Sequence, residues 1–219
     1  SLKEKISTYL LGSNKWVEFV NTSTLVSKSL INNATFDLTS YVITKVAEAI
    51  ARFLEHELLL GTGANAAITG CVGTNSVSAA TAGKVTADDL IDLQMKVPEV
   101  FQANACWIMN SKTLAAVRKL KATTGEYLLN PDIRAGFGYA LLGKHVYISD
   151  AMDDIGSSSA AKKPVVYGDF SGVYVNIHED INIQILQEMY ATQHAIGVVA
   201  WIEMDGKPVE AQKIATLSA

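Results

Sequence analysis

The chain has 219 residues, 49% of them hydrophobic and 18% charged, enough apolar material for a true core in one domain or two small ones, which excludes a disordered chain. Its formal net charge is −4, with a pI near 5.6 and the Lys and Arg residues spread thinly, so no basic row is evident to neutralise successive phosphates, which argues against sequence-specific nucleic-acid binding. The longest nearly unbroken apolar run, Ala195 to Ile202, falls far short of the roughly 18 residues that span a bilayer, and no signal-peptide pattern opens the sequence, which predicts a soluble intracellular protein with no membrane partner.

In chain order, the first strong element is a long helix from about Asp37 to Leu60, with Thr35 or Asp37 as N-cap and Gly61 in the C′ position. Leu38, Val42, Val46, Ala49, Phe53 and Leu58–Leu60 read as its apolar stripe, and Lys45, Glu48, Arg52 and Glu55 as a charged face at (i, i+3) and (i, i+4) spacing. That charged face is either solvated or a subunit contact. A run rich in Ala, Thr, Ser and Gly follows up to Gly83 and predicts short strands and turns. A second helix is predicted from Thr86, with Asp89 completing a capping box, to near Pro98. A buried strand, Ala105–Met109, then leads to Asn110, the N-cap of a helix Ser111–Lys121 that turns Leu114, Val117 and Leu120 inward. Gly125 ends this helix, Tyr127 to Phe137 reads as a loop around Pro131, and Gly143 turns into a strand Lys144–Ser149. Two hairpins are predicted to close the chain. One joins Val173–Ile177 to Ile181–Ile185 through His178-Glu179-Asp180, and the other joins Ile196–Met204 to Val209–Leu217 through Asp205-Gly206.

No reacting constellation is legible. His56, His145, His178 and His194 form neither H-E-x-x-H nor H-x-H, and Glu55, His56 and Glu57 are consecutive, so they fan about 100° apart and cannot converge on one metal. No G-x-S-x-G elbow occurs, Gly61-Thr62-Gly63 follows a helix where a dinucleotide loop would follow a strand, and Gly168-Asp169-Phe170 reads as a turn before an aromatic anchor. Trp16, Trp107 and Trp201 have no basic company and read as packing residues. Cys71 and Cys106 are far apart with no C-x-x-C and read as unreactive reduced thiols. The expected catalytic, cofactor-binding and metal residues are therefore none, with no cofactor and no enzymatic activity.

Three groups of segments are similar to the major capsid (head) proteins of tailed bacteriophages, whose Hong-Kong-type fold also builds bacterial encapsulin shells. The first runs from Phe36-Asp-Leu-Thr-Ser-Tyr-Val to Leu59-Leu-Gly-Thr-Gly and resembles the family's spine helix and its glycine exit. The second, Trp107-Ile-Met-Asn-Ser-Lys-Thr-Leu with Arg118-Lys-Leu-Lys-Ala-Thr-Thr-Gly-Glu-Tyr-Leu, resembles its strand, Asn-capped helix and Gly-x-Tyr-Leu turn. The third comprises Leu142-Gly-Lys-His-Val-Tyr-Ile-Ser, Val166-Tyr-Gly-Asp-Phe and Asp205-Gly-Lys-Pro-Val.

The resemblance implies an α+β chain with a long spine helix on a peripheral sheet and an inserted axial α/β domain. Residues 1–82 and 188–219 would be peripheral, with 1–34 a remnant of an extended loop, and residues 83–187 axial. It implies a structural protein of the virion, made in the bacterial cytoplasm. Its partners would be copies of itself in hexamers and pentamers, portal and scaffold proteins, and an enclosed DNA bound without sequence preference. Too few residues precede the helix for the family's full arm and loop, so these 219 residues alone are expected to associate weakly. Three alternatives stand beside this reading: an encapsulin-like compartment with protein cargo, an α+β enzyme with no recognisable site, and a plain oligomeric binding module.

Overall fold

The computed structural model describes residues 22–29, 37–63, 68–73, 75–81, 83–120, 139–155 and 162–219. In chain order their strands and α-helices are β1 (Thr22–Ser27), α1 (Leu38–Leu60), β2 (Ser76–Ser78), α2 (Ala87–Lys96), α3 (Glu99–Gln102), β3 (Cys106–Met109), α4 (Ser111–Arg118), β4 (Tyr139–Leu141), β5 (Lys144–Ile148), β6 (Val165–Gly168), β7 (Val173–Leu186), β8 (Ala195–Pro208) and β9 (Ile214–Ser218). They divide between two compact units, one drawn from Ser1–Leu58, Thr62–Thr69 and Val175–Lys207, the other from Leu59–Gly61, Gly70–Tyr174 and Pro208–Ala219.

The first unit is a long helix on a small sheet. Asp37 caps α1: its Oδ1 accepts from the backbone N–H groups of Thr39 at 3.1 Å and Ser40 at 3.2 Å, using two donors that the first turn leaves free. The helix runs 23 residues, about 35 Å, with no Gly or Pro inside it. Its inward row is Val42, Val46, Ile50, Leu54 and Leu58, which meets Ala200, Ile202 and Met204 of β8, Ile183 of β7 and Ile68. A helix packed on a sheet containing the whole C-terminal hairpin is thus found only in part: it packs on β8, whereas the other predicted hairpin strand, β9, belongs to the second sheet. The stripe itself needs correction, because Ala49 and Phe53 are exposed. The predicted stripe steps by three from Val46 to Ala49, whereas the row that packs steps by four from Val46 to Ile50, Leu54 and Leu58.

The sheet of this unit has the order β1-β8-β7, with β1 antiparallel to β8 and Thr22 opposite Ala200. Neither predicted terminal hairpin forms. β7 runs unbroken through His178-Glu179-Asp180, and β8 through Asp205-Gly206-Lys207. Those residues suit turns locally, but partners hold them extended: Trp201 Nε1 donates to Glu179 Oε1 at 3.1 Å, and the Gly206 carbonyl accepts from Thr69 N at 3.0 Å.

The second unit contains a sheet ordered β2-β9-β6-β3-β5-β4, in which β2 is parallel to β9 and β3 to β5. β9 therefore belongs here, antiparallel to β6, and does not pair with β8. Leu90 and Leu93 of α2 and Leu114 and Val117 of α4 cover one sheet face, packing on Trp107, Met109, Val146, Tyr167 and Leu217. Ile108, Val166 and Ile214 on the other face meet Leu59, Cys71, Val72 and Met152. Trp107 fixes the β3 end of this core: its ring lies 4.3 Å from that of Tyr167, and its Nε1 donates to the Leu141 carbonyl at 3.0 Å.

Both predicted caps in this unit are present. Thr86 and Asp89 form the capping box of α2, and Asn110 Oδ1 accepts from Lys112 N at 3.0 Å while its Nδ2 donates to the Met152 carbonyl. Leu142 and Gly143 both have positive φ, 49° and 75°, the two-residue turn that a tight β4–β5 hairpin requires. The Gly125 stop, the Tyr127–Phe137 loop and Trp16 lie outside the described residues. The units change over near 174/175 and 207/208, because β7 joins the first sheet and β9 the second.

Candidate functional site

The side chains capable of chemistry are dispersed. His56 Nδ1 lies 3.4 Å from Glu57 Oε1, His145 stacks edge-on with Tyr147, His178 Nε2 lies 3.9 Å from Glu203, and His194 sits at φ 52°. Among the described residues no three His, Cys, Asp or Glu side chains gather into a group that could hold a metal. Burial pushes the Cys71 thiol up to about 11. Burial also raises Cys106, with the Asp169 charge adding to the effect. Both thiols are free and stay protonated at neutral pH, so neither is a ready nucleophile. No described helix is long and apolar enough to cross a membrane.

The conspicuous surface groups are apolar. On the solvent side of α2 and α3 stand Ile91, Met95 and Val100, the last two 65% and 83% exposed. Tyr147 and Ile148 are exposed on β5, and Val175, Ile177, Ile181 and Ile185 on β7, an edge strand of its sheet. Leaving such groups in water forgoes about 25 cal/mol per Å² of burial, and clusters of them mark surfaces that bind other surfaces. The α2 surface escaped the sequence reading, although its signal was present. A ten-residue helix whose Leu90 and Leu93 fill a core has Ile91 and Met95 left over, four residues apart on another face.

The profile of the Phage capsid family matches residues 18–219. Comparison with curated proteins finds no significant match. Among solved structures, a chain described as the capsid of a native GTA particle superposes with a TM-score of 0.78 at 24% identity, over 91% of this chain and 71% of the other. A chain of Gordonia phage Cozz superposes with a TM-score of 0.69 at 14% identity, over 91% and 69% respectively. A chain of the holo-SrpI encapsulin complex from Synechococcus elongatus PCC 7942 does so with a TM-score of 0.62 at 15% identity, over 91% and 72%. These likenesses define a class, the α+β fold of capsid-type subunits. The chain itself belongs to the phage capsid family, and it is a structural capsid protein of the bacteriophage head type.

Proposed function

We propose that this capsid protein associates with copies of itself, as hexamers and pentamers, into a closed icosahedral head enclosing double-stranded DNA that it does not read. The observation that carries this reading is the set of exposed apolar surfaces on both units of a chain whose family is that of phage capsids. A closed shell asks one chain to make several modest contacts of this kind. The acidic balance, 22 Asp and Glu against 18 Lys and Arg, suits a wall that confines DNA without adhering to it. Synthesis in the bacterial cytoplasm, docking to portal and scaffold proteins, and the absence of any catalytic step, metal or cofactor belong to the same proposal. So does the assignment of a peripheral role to residues 1–82 with 188–219 and an axial role to 83–187.

Electron microscopy of the purified complete polypeptide tests it. Closed particles containing nuclease-protected DNA, when made alongside the packaging proteins, are expected. A chain that stays monomeric at all concentrations overturns the proposal. The similarity to an encapsulin chain supports a second reading, a compartment shell. Particles that carry a protein cargo and no DNA would favour it.

A further inference from the structure

The helices α2 and α4 cover the same face of the second unit's sheet, yet they turn opposite charges to solvent. From α2 and the short α3, Asp88, Asp92 and Glu99 project around Ile91, Met95 and Val100, with Lys96 as the opposing cation. Among the described residues no ion pair engages Asp88, Asp92 or Glu99. From α4 and its C-cap project Lys112, Arg118 and Lys119, with no acidic residue in the helix and with exposed Ala115 and Ala116 between the cations. Lys112 is partly engaged by Asp154 at 3.3 Å, and Arg118 lies over the Tyr139 ring. The helices have ten and eight residues, about 15 and 12 Å, so the two faces match in length.

We propose that the acidic, apolar face of α2 and α3 docks on the basic face of α4 in a second copy of this chain, head to tail, within a ring of the shell. The inference rests on the self-assembly reading and names the residues of one of its contacts. Charge selects the occupant. A two-fold contact of α2 with α2 would set acids against acids, and α4 with α4 cations against cations, whereas α2 against α4 pairs opposite signs. The apolar side chains lie inside the charges, the arrangement of an interface with a dry centre and a polar rim: Ile91 and Met95 would seat over Ala115 and Ala116, with Asp92 and Glu99 meeting Lys119 and Arg118. Because the two faces differ and sit on one chain, the contact can repeat from copy to copy, and it makes a ring where the rotation between neighbours closes.

Charge reversal tests this on the complete polypeptide, with circular dichroism melts establishing that each variant folds. The Asp92→Lys, Glu99→Lys variant should lose at least about tenfold of its assembled fraction in sedimentation, and so should the Arg118→Glu, Lys119→Glu variant. Mixing the two should restore rings of even number only, because alternating copies pair opposite charges again, while a ring of five must keep one like-charge contact. All four changes in one chain should restore it too. A cysteine pair, Met95→Cys with Ala116→Cys, asks the same question in assembled particles without altering charge: oxidation should give a ladder of disulfide-linked copies. Reversed variants that fold and assemble like wild type, a mixture that stays unassembled, or oxidised particles with no ladder overturn the docking alone, leaving self-assembly intact. A wild-type polypeptide that never assembles overturns both.

Discussion

Asp89 holds the start of α2 to the segment before it. The carboxylate is 5% exposed and accepts from Ala80 N at 3.0 Å, Thr86 N at 2.8 Å and Thr86 Oγ1 at 2.7 Å. Burial pushes its pKa up, but the bonds from the Thr86 side chain, Thr86 N and Ala80 N together outweigh burial and leave it below its ordinary value of 3.8. A carboxyl lowered by folding stabilises the protein above the unfolded-state value, and that contribution is lost as pH falls through the lower folded-state value. Asp89→Asn replaces a charged acceptor with an amide that turns a donor towards donors. It should cost about 1.5–3 kcal/mol at pH 7, and its stability should fall less steeply than wild type as pH drops below about 4. Urea melts from pH 7 down into the acid range read both effects. Gly70 answers to sterics alone, since a Cβ there would lie 2.5 Å from Gly61 N and 2.6 Å from Leu59 O, backbone atoms that cannot yield. Gly70→Ala should lower the urea midpoint by the equivalent of about 1–3 kcal/mol or more.

For whole elements, what the sequence revealed depended on how local the deciding interaction was. The caps at Asp37, Thr86 and Asn110 were legible because donor and acceptor lie within three residues of each other. The two hairpins were misread because His178-Glu179-Asp180 and Asp205-Gly206 suit turns, while the partners that keep them extended, Trp201 and Thr69, come from other parts of the chain. The α2 contact face was missed for a related reason. Apolar residues at Ile91 and Met95 look like core until the structure shows that Leu90 and Leu93 already occupy it. The inward row of α1 can be checked by mutation. Ile50 is fully buried and Phe53 is 44% exposed, so Ile50→Ala should cost about 2–5 kcal/mol, whereas Phe53→Ala, the larger truncation, should cost less than about 1 kcal/mol. Equal losses in denaturant melts would put Phe53 back in the core stripe.

For the proposed shell around DNA, the relevant quantity at the scale of the molecule is the field of the chain towards phosphate. A wall around a packed duplex must not bind it tightly, and affinity for phosphate grows with every cation that displaces a counterion. This chain carries 18 cations against 22 acids, and among the described residues a clear basic cluster is the solvent face of α4, where Asp154 already engages Lys112. Docking of that face on a neighbouring copy would remove even this cluster from the DNA. The subunit in solution should therefore bind a short duplex weakly and without sequence preference. In fluorescence anisotropy at about 150 mM salt, its Kd should be no tighter than the roughly 10⁻⁴–10⁻⁶ M of non-specific binding. The plot of log K against log salt should be shallower than about −3, since each neutralised phosphate contributes about −0.9. Sub-micromolar affinity with a slope of about −5 or steeper would mean that the fold assembles a basic row from cations scattered in the sequence, and the wall would then hold its DNA by charge.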